Sequence, residues 1–253
     1  MTAILRSSVI RKTAGALATL FGVAVFVFFM LRAIPGDQIS ASLGTEAAGL
    51  TEAQRQALVE YYGIDEPLTT QFFSWLANLF AGDLGFSVRA QQPVLDLTIA
   101  ALPVTFQLAV FAILLALVIG VPIGMLSASA PRKARDFVGQ AVSLLGLSIP
   151  AFLLATTLLT FFAVNLGFNP NGLGYKTLFE DPSVNLQQMF LPSLVLGFGI
   201  SAPIMRTTRA AVLEIRGQDF IRTARAKGVK TQRIQFRHIL RNALIPIVTM
   251  TGL

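Results

Sequence analysis

Along this chain, long uncharged stretches alternate with short charged ones, and the sign of the charged islands alternates too. Arg6, Arg11 and Lys12 precede the first apolar stretch with no acid among them. Residues 32–96 then carry eight acids against three arginines. The next island, Arg132, Lys133, Arg135 and Asp136, is basic; Lys176, Glu180 and Asp181 lean acidic; residues 206–241 hold ten basic residues against Glu214 and Asp219. A chain laid out in this way is threaded through a membrane, with its basic islands and its N-terminus on the cytoplasmic side.

Composition supports that reading. The chain is 54% hydrophobic and 13% charged, against about 25% charged in an average soluble domain. Its net charge is +7, and the 206–241 island alone contributes +8. The basicity is therefore local and gives no reason to invoke a nucleic-acid partner. With no cysteine and a single histidine, His238, disulfides, thiol chemistry and multi-histidine metal centres are excluded. The first uncharged run, Thr13–Leu31, exceeds the ~7–15-residue core of a signal peptide, and no small-x-small cleavage site follows it. It reads as a retained span.

A hydrocarbon core of about 30 Å needs about 20 apolar helical residues, and backbone polar groups in lipid must be satisfied internally, which makes these runs helices. The expected spans are Thr13–Leu31, Val104–Ser127 (with Leu97–Leu102 as a short surface lead-in), Val138–Val164, and Leu191–Met205 with Pro192 in its first turn. A fifth run opens after Arg241 and is cut off at Leu253. The fold class is all-α, a polytopic transmembrane helical bundle with four complete spans and the start of a fifth. Expected segments are a cytoplasmic N-terminus at 1–12, the first transmembrane helix at 13–31, an extracytoplasmic segment at 32–102, and a core at 103–253 containing a cytoplasmic loop at 206–241. Gly120 and Gly124 have the spacing of a small-residue packing motif, but such pairs are common and add little alone. Polar residues within the spans, Gln107, Gln140, Ser143, Ser148, Thr156, Thr157, Thr160 and Ser201, are expected to hydrogen-bond within or between helices.

The acidic segment is too long for a simple connection. Thr51 and Gln54 have the pattern of a capping box, opening a helix that runs to Gly63. Gln71–Phe80 is a second amphipathic candidate with Phe72, Trp75, Leu76, Leu79 and Phe80 on one side. It suits an interfacial aromatic belt or a specific contact surface.

The 206–241 island has the signals of a helix–glycine–helix bracket. Asp219 and Lys227 complement the dipole of a first helix, and Gly228 suits its left-handed stop. Thr231 suits the cap of a second helix, with Ile234, Phe236, Ile239 and Leu240 as its apolar positions. Phe220 and Ala224, four apart, are expected to share a face. Such a bracket between two spans suits a docking element for a cytoplasmic partner; a basic loop serving only topology and anionic lipid is the plainer alternative.

The island Arg222-Thr-Ala-Arg-Ala-Lys-Gly228, followed by Phe236-Arg-His-Ile-Leu-Arg-Asn-Ala-Leu-Ile-Pro246, resembles the cytoplasmic EAA loop of ABC-importer permeases. Arg222, Thr223 and Ala224 occupy the Glu-Ala-Ala positions, so only the last alanine is kept. This form is similar to that of the dipeptide, oligopeptide and nickel branch. Leu31-Arg-Ala-Ile-Pro-Gly-Asp37, Tyr62-Gly-Ile-Asp-Glu-Pro-Leu68, and Gly82-Asp-Leu-Gly-Phe-Ser87 with Pro93-Val-Leu-Asp96 resemble the same branch. The resemblance spans residues 10–253. Because that branch has six spans, the chain resembles a C-terminally shortened member.

The resemblance implies a type I importer permease, the membrane-spanning subunit of an ATP-driven peptide or small-solute importer in the cytoplasmic membrane of a bacterium or archaeon. It implies a second permease, two cytoplasmic ABC ATPases and an extracytoplasmic solute-binding protein as partners. It places Phe220, Arg222, Ala224, Arg225, Lys227, Gly228 and Phe236 in the ATPase-coupling loop, and Pro35, Gly36, Asp37, Gly82, Asp83 and Gly85 in the outer signature. The chain lacks a phosphate-binding loop of the Gly-x-x-x-x-Gly-Lys-Ser/Thr type. ATP and Mg are therefore expected on the ATPase, with no cofactor, metal or catalytic residue on this subunit. An ion-coupled secondary transporter is the competing reading; it calls for intramembrane charges and repeated halves, which this sequence does not display.

Overall fold

The computed structural model describes residues 2–33, 49–87, 89–168, 170 and 174–252. The chain divides into two units, residues 1–100 and 101–253. Three helices among the described residues are long and apolar enough to cross a membrane, and a bent helix pair makes a fourth if its halves form one broken span.

In the first unit, α1 (Thr2–Arg32) contains the apolar stretch Ile10–Met30. Helix α2 (Glu52–Tyr62) starts at the expected capping box: the Gln54 N–H donates to Thr51 Oγ1 at 3.3 Å and the Thr51 N–H donates to Gln54 Oε1 at 2.9 Å. Gly63 stops it with φ 57°. Helix α3 (Leu68–Phe80) packs on α1 through Phe28, whose ring lies 5.1 Å from Phe72 and 5.6 Å from Trp75. Trp75 thus packs against α1. Leu79 and Phe80, expected on one side with Phe72, Trp75 and Leu76, are exposed. Gln71 is buried. Its amide donates to the Ile64 and Glu66 carbonyls at 3.0 and 2.8 Å and accepts from Arg32 Nε at 2.9 Å.

The signature Gly82-Asp-Leu-Gly85 is a turn. Both glycines have positive φ (85° and 86°), which a side chain would strain. Asp83 Oδ1 accepts the Gly85 N–H at 2.8 Å. The turn leads into β1 (Phe86–Ser87), antiparallel to β2 (Gln92–Pro93). Pro35, Gly36 and Asp37 lie outside the described residues, as do Asn169, Asn171 and Gly172.

Helix α4 (Val94–Ser129) is continuous for 36 residues, so Leu97–Leu102 is its first part and not a separate surface segment. At about 1.5 Å per residue it outruns a ~30 Å hydrocarbon core. The third run is not one straight span. Helices α5 (Ala134–Ser148) and α6 (Ala151–Leu166) meet at 102°. Pro150 disfavours helical backbone at the preceding residue, and Ile149 is extended at φ −79°, ψ 121°. Helix α7 (Pro182–Arg216) starts ten residues before the expected Pro192, which lies inside it. Asp181 sets the start: its Oδ1 accepts the N–H groups of Ser183 and Val184 at 3.0 and 3.1 Å, and Pro182 needs no donor there.

The second unit is built on close approach of α4 and α7. Ala112, Ala116, Gly120 and Gly124 form a buried ridge of small residues at four-residue spacing on α4. A Cβ on Gly120 would lie 2.8 Å from the Ile204 side chain, and one on Gly124 would lie 2.7 Å from the Met205 carbonyl. The Gly120/Gly124 pair, given little weight from sequence, is thus where the two helices touch. Most polar residues in the spans behave as expected. Gln107 bonds Asn185 across α4 and α7, Ser143 Oγ donates to the Ala202 carbonyl at 3.1 Å, and Thr156 and Ser201 bond carbonyls of their own helices.

Gly124→Ala should therefore lower stability by about 1–3 kcal/mol, the cost of overpacking, seen as a reduced melting temperature in detergent. Gly15→Ala, with nothing within 4 Å, should leave it unchanged. The bonds from Val184 and Ser183 hold the Asp181 carboxyl below its ordinary range. A depressed folded pKa stabilises above the unfolded value and loses that stabilisation as pH falls through the folded one. The melting-temperature gap between wild type and Asp181→Ala should be full at neutral pH and shrink below about pH 4.

Candidate functional site

The segment after α7 folds into the expected bracket. Helix α8 (Asp219–Ala226) ends in a two-bond stop: the Val229 N–H reaches the Ala224 carbonyl at 3.1 Å and the Gly228 N–H reaches Arg225 at 2.9 Å. Gly228 has φ 73°, as this left-handed termination requires. Helix α9 (Thr231–Arg233) continues through a π-helical stretch, Ile234–Leu240, into α10 (Arg241–Thr251). Lys230, not Thr231, is the residue before the helix, and no side chain caps it.

The bracket has an inner and an outer side. Inside, Ile221 is fully buried in a cluster with Ile215, Ile234, Ile239, Ala243 and Ile247, and Ala224 packs against it. Ile234 and Ile239 are five apart, and the wider π turn brings both onto one side. Outside lie Phe220, Arg222, Arg225, Lys227 and Phe236. Phe220 and Ala224 therefore do not share a buried side: Phe220 is 42% exposed while Ala224 faces the cluster. Phe236 is 64% exposed and does not pack inward as expected. Arg222 meets Asp219 at 3.3 Å, both side chains largely in solvent, a pairing of small energetic weight.

Sequence reasoning missed Ile221, the anchor of α8. It also missed the arrangement that holds the bracket's base. Asp136, 1% exposed, receives Arg209 Nε on Oδ1 at 2.7 Å and Arg209 Nη2 on Oδ2 at 2.8 Å. Ser127 Oγ donates to Oδ1 at 2.6 Å, Gln140 Nε2 to Oδ1 at 3.0 Å, and the Arg132 N–H to Oδ2 at 2.9 Å. Nearby, Arg216 Nη1 donates to the Ala128 carbonyl. The basic islands at 132–135 and 206–216 are thus drawn together at one end of the unit through a single acid. Among the described residues, no group of three or more His, Cys, Asp or Glu is placed to hold a metal.

Comparison with known proteins now decides the family. The profile described as "Binding-protein-dependent transport system inner membrane component" matches residues 120–253, and its N-terminal companion matches residues 5–109. The chain belongs to this family. It is 38% identical over 248 residues to the oligopeptide transport system permease protein AppB of Bacillus subtilis, covering 97% of this chain and 77% of that protein. It is 39% identical over 246 residues to the glutathione transport system permease protein GsiC of Pectobacterium atrosepticum, covering 96% and 76%. A putative peptide permease of Brucella ovis is 38% identical over 239 residues, covering 93% and 74%. The chain is an ABC-importer permease subunit, a multi-pass component of the inner membrane and not an enzyme. This family is not that of the ion-coupled transporters.

The geometry makes the bracket sensitive at two places. Ile221→Ala should destabilise it by about 2–5 kcal/mol, and Gly228→Ala by about 1–2 kcal/mol through the left-handed backbone. Both should speed trypsin cleavage at Arg222, Arg225 and Lys227 in detergent-solubilised protein.

Proposed function

We propose that this subunit imports peptides or a related small solute, and that its α8–Gly228–α9 bracket receives the stroke of a cytoplasmic ATPase. The observation that carries the proposal is the two-sided bracket. Its inner side is anchored by Ile221 to the α7 and α10 cluster, and its outer side presents Phe220, Phe236 and a row of cations. An anchored element with an exposed aromatic and basic side suits a partner groove that takes apolar anchors and carries acids around them. A push on the bracket then acts directly on α7 and α10.

In this reading the two permeases lie in a bacterial or archaeal cytoplasmic membrane, with two ABC ATPases that hold ATP and Mg on its cytoplasmic face and a solute-binding protein on the other. The permease itself binds no cofactor. Its N-terminus and the 206–241 loop face the cytoplasm, and the acidic 32–102 segment faces the binding protein. The coupling residues are Phe220, Arg222, Ala224, Arg225, Lys227, Gly228 and Phe236, with Ala224 and Gly228 shaping the bracket and the others meeting the ATPase. The names of the relatives, oligopeptide, glutathione and peptide permeases, favour a peptide cargo.

Co-expression with ABC ATPases of peptide importers from the same genome tests the reading. Cysteines at Arg222 or Arg225 should cross-link to the ATPase. Arg225→Glu combined with Lys227→Glu should slow its association by about tenfold with the melting temperature unchanged. Labelling of those cysteines from outside intact cells would overturn the topology and the function together.

A further inference from the structure

We infer that Asp136 and Arg209 are positioning residues for coupling: they fasten α5 to α7 beside the bracket, so that α5 travels with α7 and the motion is taken up at Ile149–Pro150. The inference rests on the bracket being the ATPase contact.

The fastening is complete on the α5 side. Asp136 is in the first turn of α5 and Arg209 is two turns before the end of α7, which leads through Gly217 into α8. A guanidinium gripping both carboxylate oxygens fixes orientation as well as distance, which a single ammonium contact does not. Ser127, the Arg132 N–H and Gln140 fill the rest of the carboxylate, so the end of α4, the connecting turn and α5 all hang on one acid. Farther along α5 the contact is equally close. Against α7, Ser143 donates to the Ala202 carbonyl at 3.1 Å and a Cβ on Gly146 would lie 3.0 Å from Ala202; against α4, a Cβ on Gly139 would lie 2.8 Å from Ser127.

Beyond Pro150 the contact loosens. Helix α5 buries Asp136, Gly139 and Ser143, whereas no residue of α6 is buried. A chain that is tightly joined before a 102° break and loosely joined after it has its joint at the break.

The chain has no native cysteine, so spin labels can be placed on single engineered pairs. Glu214 at the end of α7, Leu144 on α5 and Val164 on α6 are all exposed. Distances are measured in the assembled transporter in nanodiscs, with and without ATP and vanadate. The 144–214 distance should stay constant on trapping, while the 164–214 distance shifts. In Arg209→Met the 144–214 distribution should broaden and shift on trapping, and Arg209→Lys should restore it only in part. If Arg209→Met does not fold, Asp136→Asn with Arg209→Gln removes both buried charges while keeping donors and acceptors, and should show the same loosening. A wild-type 144–214 distance that shifts as much as 164–214, or a folded double variant identical to wild type, overturns the inference. Failure of the ATPases to co-purify with the wild-type chain overturns the bracket reading itself, and this inference with it.

Discussion

The second unit depends on how closely α4 and α7 approach. Between helices in lipid there is no hydrophobic driving force, so association comes from packing and interhelical hydrogen bonds. Side chains larger than those of Ala112, Ala116, Gly120 and Gly124 would hold α7 away, since even a Cβ on either glycine would lie within 3 Å of an α7 atom. That separation would also carry Arg209 away from Ser127 and from the carboxylate both serve. The Asp136–Arg209 ion pair is therefore a consequence of the small-residue ridge. A buried charge is tolerable only when paired and fully hydrogen-bonded, and the ridge is what brings the partners within reach.

The position of the bracket follows from the same contact. Helix α7 emerges held by Asp136 at Arg209 and by the Ala128 carbonyl at Arg216, and three residues later α8 begins. Of the ten basic residues in the island, these two are turned inward. Their role in this subunit is structural, although the positive-inside rule counts them with the rest. The cations of α8 and the following turn remain outward, exposed to solvent.

What the sequence revealed and what it hid divide along physical lines. The capping box at Thr51 and Gln54, the stop at Gly228 and the bracket as a whole were legible because their signals are local: a side chain bonding its own backbone, or a glycine accepting positive φ. The Asp136–Arg209 pair joins residues 73 apart, and in sequence both look like ordinary loop charges. Helix phase was also ambiguous. In an eight-residue helix, Phe220 and Ala224 satisfy the four-residue rule as well as Ile221 does, and only the tertiary cluster selects Ile221. Pro192 misled because proline is common at a helix start, yet the acid and proline at 181–182 provide a better one.

The π-helical stretch shows where a further signal lay. Ile234, Ile239, Ala243 and Ile247 are all buried, with spacings of five, four and four. An α-helical reading from Ile234 places His238 and Arg241 inward and leaves Ile239 turned aside. One wide turn removes that conflict, since it moves every later residue by one position and restores an unbroken apolar stripe into α10. Phe236, two residues from Ile234 and so on the opposite side of the helix, is exposed. The local irregularity thus lets the second arm of the bracket share a core with α8, while Phe236 joins Phe220 and the cations on the outer side. A regular α-helix anchored at Ile234 would leave Ile239 out of that core.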